Sequence, residues 1–242
     1  MPRKRNLFDP LSHDPFAISR TKLQDFLDCP RCFFLDRKCG VSKPSLPAFS
    51  LNVAVDKLLK SEFDWYREKK RAHPLMLQYR LDAIPFQHPE LDVWRNNCKG
   101  IRHHHPESSL ILYGAVDDLW ILKNGKLIIV DYKATSTKAE ITLDTPYRIK
   151  YTKQLEVYQW LFRRNGFDVS PVAYILYVNA DSSRARFENV LAFDAMLIEH
   201  KGNSDWVGDA LMEAKICLMG SIPDPAPDCE WCAYRSAHGN AA

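Results

Sequence analysis

Long apolar runs are missing from this chain of 242 residues. No stretch approaches the roughly 20 residues that a bilayer-spanning helix needs, which excludes a helical span and a membrane partner. A dominant charge is missing too: 33 Lys and Arg stand against 30 Asp and Glu, a formal +3. The surface as a whole is therefore too weakly basic to hold a polyanion, and affinity for nucleic acid must come from a local groove. No export signal is evident, because the basic start MPRKRN runs into Asp9, Pro10 and His13 instead of an apolar segment. Seven cysteines without such a signal point to a reducing, cytoplasmic compartment, where thiols bind metal or stay free. No internal repeat is found. What is present is an ordinary composition, 46% hydrophobic and 26% charged, enough for one sizeable core.

The most informative stretch is Gly114 to Lys133, GAVDDLWILKNGKLIIVDYK. Two apolar runs, Leu119 to Leu122 and Leu127 to Val130, flank Asn124-Gly125, the dipeptide best suited to a tight hairpin turn. Strand alternation puts Asp131 and Lys133 on one face and Tyr132 on the other. A two-residue loop pairs Lys123 with Lys126, so Asp118 opposes Asp131 and Asp117 opposes Tyr132. One bulge would exchange the two aspartates. Either way, two carboxylates and an ammonium converge at one strand end. Carboxylate pairs bind Mg²⁺ or Mn²⁺ through oxygen and leave sites open for water and phosphate, the requirements of phosphodiester hydrolysis.

Elsewhere, Ser19 is placed to cap a short helix with Leu23, Phe26 and Leu27 on one face. Leu51 to about Arg71 predicts a longer helix that buries Val55, Leu58, Leu59 and Phe63, with Asp56, Glu62 and Asp64 around it. Residues 73–108 carry several prolines and little periodicity, an expected loop-rich insertion in which His103, His104 and His105 read as surface residues. Thr135 to Thr145 reads as a polar mobile loop. Tyr147 to Asn165 predicts a helix with the stripe Leu155, Tyr158 and Phe162, with Gln154 and Tyr158 on one face and Gly166 as its C-cap. Its Arg148, Lys150, Lys153, Arg163 and Arg164 make it the most basic segment, able to follow a phosphate backbone. Val172 to Val178 and Phe187 to Phe193 read as strands. A last helix carries Trp206, Ala210, Leu211, Ala214 and Leu218. This order predicts an α/β fold with a mixed sheet flanked by helices. The expected organisation is a basic arm over 1–18, a core over 19–219 and a Pro-rich strap with a cysteine pair over 220–242.

The cysteines form two CxxC pairs, Cys29/Cys32 and Cys229/Cys232, the second delivered by the extended segment Ile222 to Asp228. Two thiolates alone make a poor closed site, whereas four suit zinc or an iron–sulfur cluster and would staple the chain ends together. Neither pair lies in a βαβ context, which argues against a thioredoxin-like role. Cys39, Cys98 and Cys217 read as non-ligands.

Gly114-x-x-Asp117, Asp131-x-Lys133 and Gln154-x-x-x-Tyr158, in this order, resemble the motifs of the PD-(D/E)XK nuclease superfamily. They are most similar to its RecB/AddB-like branch, which includes CRISPR-associated exonucleases with an iron–sulfur cluster. The resemblance implies a restriction-endonuclease-like core and a Mg²⁺- or Mn²⁺-dependent deoxyribonuclease of exonuclease type. It implies Asp117, with Asp118 as second choice, and Asp131 as metal ligands, joined by the Tyr132 carbonyl, and Lys133 orienting the attacking water. Gln154 and Tyr158 would position substrate or support the site. Asp56 stands where that branch carries a histidine ligand. The resemblance favours a [4Fe-4S] cluster over Zn²⁺ at Cys29, Cys32, Cys229 and Cys232, although its relatives place one cysteine before three; their spacing would put the last ligand near His238. Implied partners are DNA, single-stranded or at duplex ends, and other DNA-processing proteins. The alternative is an inactive nuclease fold that binds nucleic acid or protein.

Overall fold

The computed structural model describes residues 6–44, 49–143 and 145–240. In chain order the first elements are β1 (Phe16–Ser19), α1 (Arg20–Asp28), α2 (Pro30–Arg37), α3 (Ser50–Glu68), α4 (Pro74–Gln78), β2 (Ala83–Pro85), α5 (Leu91–Trp94) and β3 (Ile101–His105). Then come β4 (Leu110–Gly114), β5 (Asp118–Leu122), β6 (Leu127–Thr135), α6 (Pro146–Arg164), β7 (Val172–Ala180), β8 (Phe193–Lys201), α7 (Trp206–Met219) and α8 (Glu230–Asn240). The chain divides into two compact units that alternate along the sequence.

One unit takes its described residues from 49–101 and 115–204. Its sheet has the order β2-β5-β6-β7-β8, with β6 and β7 parallel and the other pairs antiparallel. Parallel neighbours need a long crossover, and α6 lies in that connection. The central strand β6 is buried from Leu127 through Tyr132, which is why its sequence reads as nearly continuous apolar residues. Ile128, Val130 and Tyr132 pack with Phe63 of α3, Trp120, Leu176 and Val178. Phe63 stacks on Trp120 with ring centres 5.3 Å apart. Alternation turns Ile129, Asp131 and Lys133 to the opposite face, where α6 buries Leu155, Tyr158 and Phe162. This is a mixed sheet flanked by helices, the expected fold class.

Several local expectations need correction. On α3, Val55, Leu59 and Phe63 meet the core, but Leu58 is 69% exposed. The buried residues follow an i, i+4 series, and Leu58 lies one residue, about 100°, off that line. Residues 73–108 hold four short elements, α4, β2, α5 and β3, joined by turns and loops. Those elements are three to five residues long, too short to show a period, and Pro74 and Pro85 sit at element ends, where proline is tolerated. The strand expected over 187–193 begins only at Phe193 and runs to Lys201. Glu188 and Asn189 adopt φ of 48° and 58°, incompatible with an extended ladder.

The other unit takes its described residues from 6–44, 102–114 and 205–240. Its sheet has the order β1-β4-β3, with β1 and β4 parallel. The Ser19 hydroxyl accepts a hydrogen bond from the Lys22 amide at 3.3 Å and caps α1. Leu23, Phe33, Leu211 and Leu218 are fully buried, and α7 packs on α1 and α2. Phe16 and Ile18 of β1 are buried as well, so the part of the amino-terminal segment next to Ser19 belongs to the sheet. Among the described residues no helix is long and apolar enough to cross a membrane.

Candidate active site and cysteine cluster

The β5–β6 hairpin decides which aspartate faces the site. Ile121 pairs with Leu127 and Asp118 with Val130. The Leu122 amide donates to the Lys126 carbonyl, and Gly125 has φ +83°. The loop is therefore Lys123-Asn124-Gly125, a three-residue turn with glycine in the left-handed position. The two-residue turn expected from Asn124-Gly125 is corrected by one position. That shift turns Asp118 away and brings Asp117 opposite Asp131.

Asp118 is buried in a network on the core side of the sheet. Its Oδ1 accepts from Arg67 and, at 2.7 Å, from Arg95. Its Oδ2 accepts from the Trp120 indole at 3.1 Å and the Tyr132 hydroxyl at 2.8 Å. Arg95 also reaches Asp64 at 2.8 and 2.9 Å and the Asp117 carbonyl at 3.0 Å. Burial, together with the Asp118 carboxylate, pushes the Tyr132 hydroxyl well above its usual pKa. With every oxygen committed, Asp118 is a structural charge.

Asp117 lies at the edge of the catalytic candidates. Its Oδ2 accepts the Tyr132 amide at 3.0 Å, so β6 fixes one oxygen and turns the other, Oδ1, outward. That oxygen meets the ammonium of Lys60 at 3.2 Å, and Lys60 also lies 2.8 Å from the Asp56 carboxylate one helical turn earlier. Burial works against ionisation of Asp117, but the charges of Lys60 and Lys133 outweigh it and hold its carboxyl below the usual range. The reciprocal effect holds for Lys60: burial opposes its charge, and Asp117 and Asp56 raise its pKa all the same.

Asp131 is fully buried and is divided in the same way. Gln154 on α6 donates to its Oδ1 at 2.6 Å, and Lys133 pairs with its Oδ2. Lys133 also lies 3.4 Å from the Tyr132 carbonyl and 4.9 Å from the centre of the Tyr151 ring. Tyr158 stands apart from this group. It is buried, and its hydroxyl donates to the Ala115 carbonyl, bracing the segment that leads into Asp117. Asp117, Asp131, Tyr132, Lys133, Gln154 and Asp56 are thus brought together, and Tyr158 supports them through the backbone. Asp56 and Asp117 are joined through the Lys60 ammonium, and the Lys133 ammonium lies on Asp131 Oδ2. Of the basic residues on α6, Arg148 and Arg163 are engaged in loop contacts, at 2.7 Å to the Thr142 carbonyl and 2.7 Å to Ser204.

Lys60 and Tyr151 escaped the sequence reading. The signal for Lys60 was its i, i+4 spacing from Asp56; that for Tyr151 was its place three residues before Gln154, on the same helical face.

The four cysteines come together in the other unit. Cys29 is the N-cap of α2 and Cys32 lies in its first turn; Cys229 immediately precedes α8 and Cys232 lies in its first turn. The Sγ atoms are 3.8 Å apart for Cys29 and Cys232, 3.6 Å for Cys32 and Cys229, and 3.6 Å for Cys32 and Cys232, and all four fall within 4.8 Å of one another. Two helix N-termini favour thiolate charge there. Burial opposes ionisation of Cys29, but the amides of Ala226 and Cys32 and the thiols of Cys229 and Cys232 bring its pKa down to about 7. Four soft donors at one point fit a thiophilic metal. Cys39 and Cys98 are exposed, and Cys217 points its thiol at the Pro30 carbonyl; none of them joins the cluster. The side chain of His238 lies outside the described residues.

No curated protein matches the chain. A solved structure described as "Crystal structure of SSO0001" is 16% identical over 87% of this chain and 80% of that one, with a TM-score of 0.41. Residues 49–237, most of the length, match the family model for the PD-(D/E)XK nuclease superfamily. That span begins just ahead of the helix carrying Asp56 and Lys60 and includes Asp117, just before β5, and Asp131 on β6. On that match the chain belongs to the PD-(D/E)XK nuclease superfamily.

Proposed function

We propose that this protein is a cytoplasmic, Mg²⁺- or Mn²⁺-dependent deoxyribonuclease of the RecB/AddB-like kind, acting as an exonuclease. The observation that carries the reading is that Asp117, one residue ahead of β5, is tied to the Tyr132 amide beside Asp131 on β6, with Lys133 paired to Asp131. Asp117 and Asp131 would hold the ion, through oxygens that Tyr132 and Gln154 have already oriented, and the Tyr132 carbonyl lies beside them. The bound ion supplies charge neutralisation at the phosphate and a water acidic enough to attack near neutral pH. Lys133 can hold an attacking water by donating a hydrogen bond from its ammonium to the water oxygen, and it offsets charge gathering on the phosphoryl oxygens. Gln154 keeps Asp131 in one rotamer, a positioning role. Asp56 enters through Lys60.

The test is cleavage of end-labelled DNA by the full chain with and without Mn²⁺. Asp131→Asn and Lys133→Met should each lower the rate by roughly a hundredfold or more with the circular dichroism spectrum unchanged. Full activity in either variant would remove the assignment. Release of mononucleotides from one end distinguishes an exonuclease from internal cutting.

At the cysteines, the sulfur spacing supports the zinc alternative over the [4Fe-4S] cluster that the resemblance implies. A tetrahedral ion with metal–sulfur bonds of about 2.3 Å sets its sulfurs about 3.8 Å apart. A cluster seats each thiolate on its own iron and spreads the sulfurs to roughly 6 Å. Three of the six separations are 3.6 to 3.8 Å and all lie within 4.8 Å, nearer to the spacing of a single ion.

A further inference from the structure

The active-site cluster carries one group whose place the proposed chemistry does not explain. Lys60 is 23% exposed, and it spans from its own helix to an aspartate 57 positions along the chain. A solvated i, i+4 ion pair would need only Asp56. Its ammonium instead sits between Asp56, at 2.8 Å, and the outward oxygen of Asp117, at 3.2 Å.

We infer that Lys60 is a built-in cation of the nuclease centre: it holds the Asp56–Asp117 side of the site, so that the centre takes one divalent ion, on the Asp117–Asp131 side, and not two. This inference rests on the nuclease reading and deepens it. The charges support it. Asp56, Asp117 and Asp131 carry three negative charges, and Lys60 and Lys133 return two positive ones, leaving a single net negative charge. One divalent ion makes the centre singly positive, and the phosphodiester it meets then brings it to neutrality. Two ions would leave it doubly positive with substrate bound, in a partly buried place where uncompensated charge is costly. The ammonium also occupies the only link between Asp56 and Asp117 among the described hydrogen bonds, the pair a second ion would have to bridge. Lys60 is thus a positioning residue that sets ion number and affinity, and Asp56 is its anchor.

The experiment is calorimetric titration of the full chain with Mn²⁺, which prefers oxygen donors and so leaves the cysteines aside. The wild-type protein should take up one ion per chain, and Asp131→Ala should abolish that uptake. Lys60→Met, which removes a positive charge beside the ion, should tighten Mn²⁺ binding by about tenfold or more, and Lys60→Gln should do the same if the methionine variant does not fold. Loss of a merely structural ion pair would leave the affinity unchanged or weaken it. Uptake of two ions by the wild type, or unchanged or weaker affinity in a folded Lys60 variant, overturns the inference and leaves the nuclease reading standing. No uptake by the wild type overturns both.

Discussion

Two adjacent aspartates in this chain do unrelated work, and their surroundings separate them. Asp118 has no exposed surface, and two arginines, a tryptophan and a tyrosine bond to it. Removing one partner of such a pair leaves an uncompensated charge inside the protein. Asp118→Ala is therefore expected to cost about 3–5 kcal/mol, measured by urea unfolding. Asp117 has part of its surface open and one oxygen directed at Lys60, and Asp117→Ala should cost about 1 kcal/mol or less while removing cleavage. Equal stability losses in the two variants would show that the division is mistaken. In the sequence a two-residue loop favours Asp118 and the family resemblance favours Asp117, and neighbouring residues alone do not decide between them.

At the scale of the element, the site depends on the turn between β5 and β6. The apolar runs and Asn124-Gly125 were enough to place a hairpin, and the alternation of Asp131, Tyr132 and Lys133 followed from strand geometry. Loop length was not legible, because the same dipeptide serves a two-residue turn and the left-handed end of a three-residue one. Gly125, at φ +83° with open space where a Cβ would stand, takes the second form. Gly125→Ala should accordingly cost about 1 kcal/mol from backbone strain alone, read as a lower urea midpoint, with cleavage retained because the apolar faces still hold the register. Loss of cleavage together with native stability would mean that the turn, and not the faces, sets the register. Helix α6 was legible for the opposite reason: its stripe of Leu155, Tyr158 and Phe162 repeats over about two turns, and the helix ends ahead of Gly166, whose φ of +86° closes it.

At the scale of the whole molecule, the cysteine cluster joins residues about 200 positions apart within one unit. A metal there closes a very long loop, so the unfolded chain loses freedom and metal binding becomes part of the folding free energy. Elemental analysis of the purified protein should find about one zinc per chain; a brown protein with about four irons would favour the cluster. Stripping the metal with a strong chelator, or Cys232→Ser, should lower the thermal midpoint by several degrees, on the order of 4–8 °C for each 1 kcal/mol in a small domain. An unchanged midpoint would show that the cysteines are not a staple.

Local chemistry was enough to establish the hairpin, the capped and striped helices, the mixed α/β class and the two CxxC pairs, because each of these is written in residues near one another along the chain. Contacts between distant segments settled the rest: Lys60 on Asp117, Gln154 on Asp131, Arg67 and Arg95 on Asp118, and the meeting of Cys29 and Cys32 with Cys229 and Cys232. Charge and burial depend on what else fills the same few ångströms, and only the folded chain determines that.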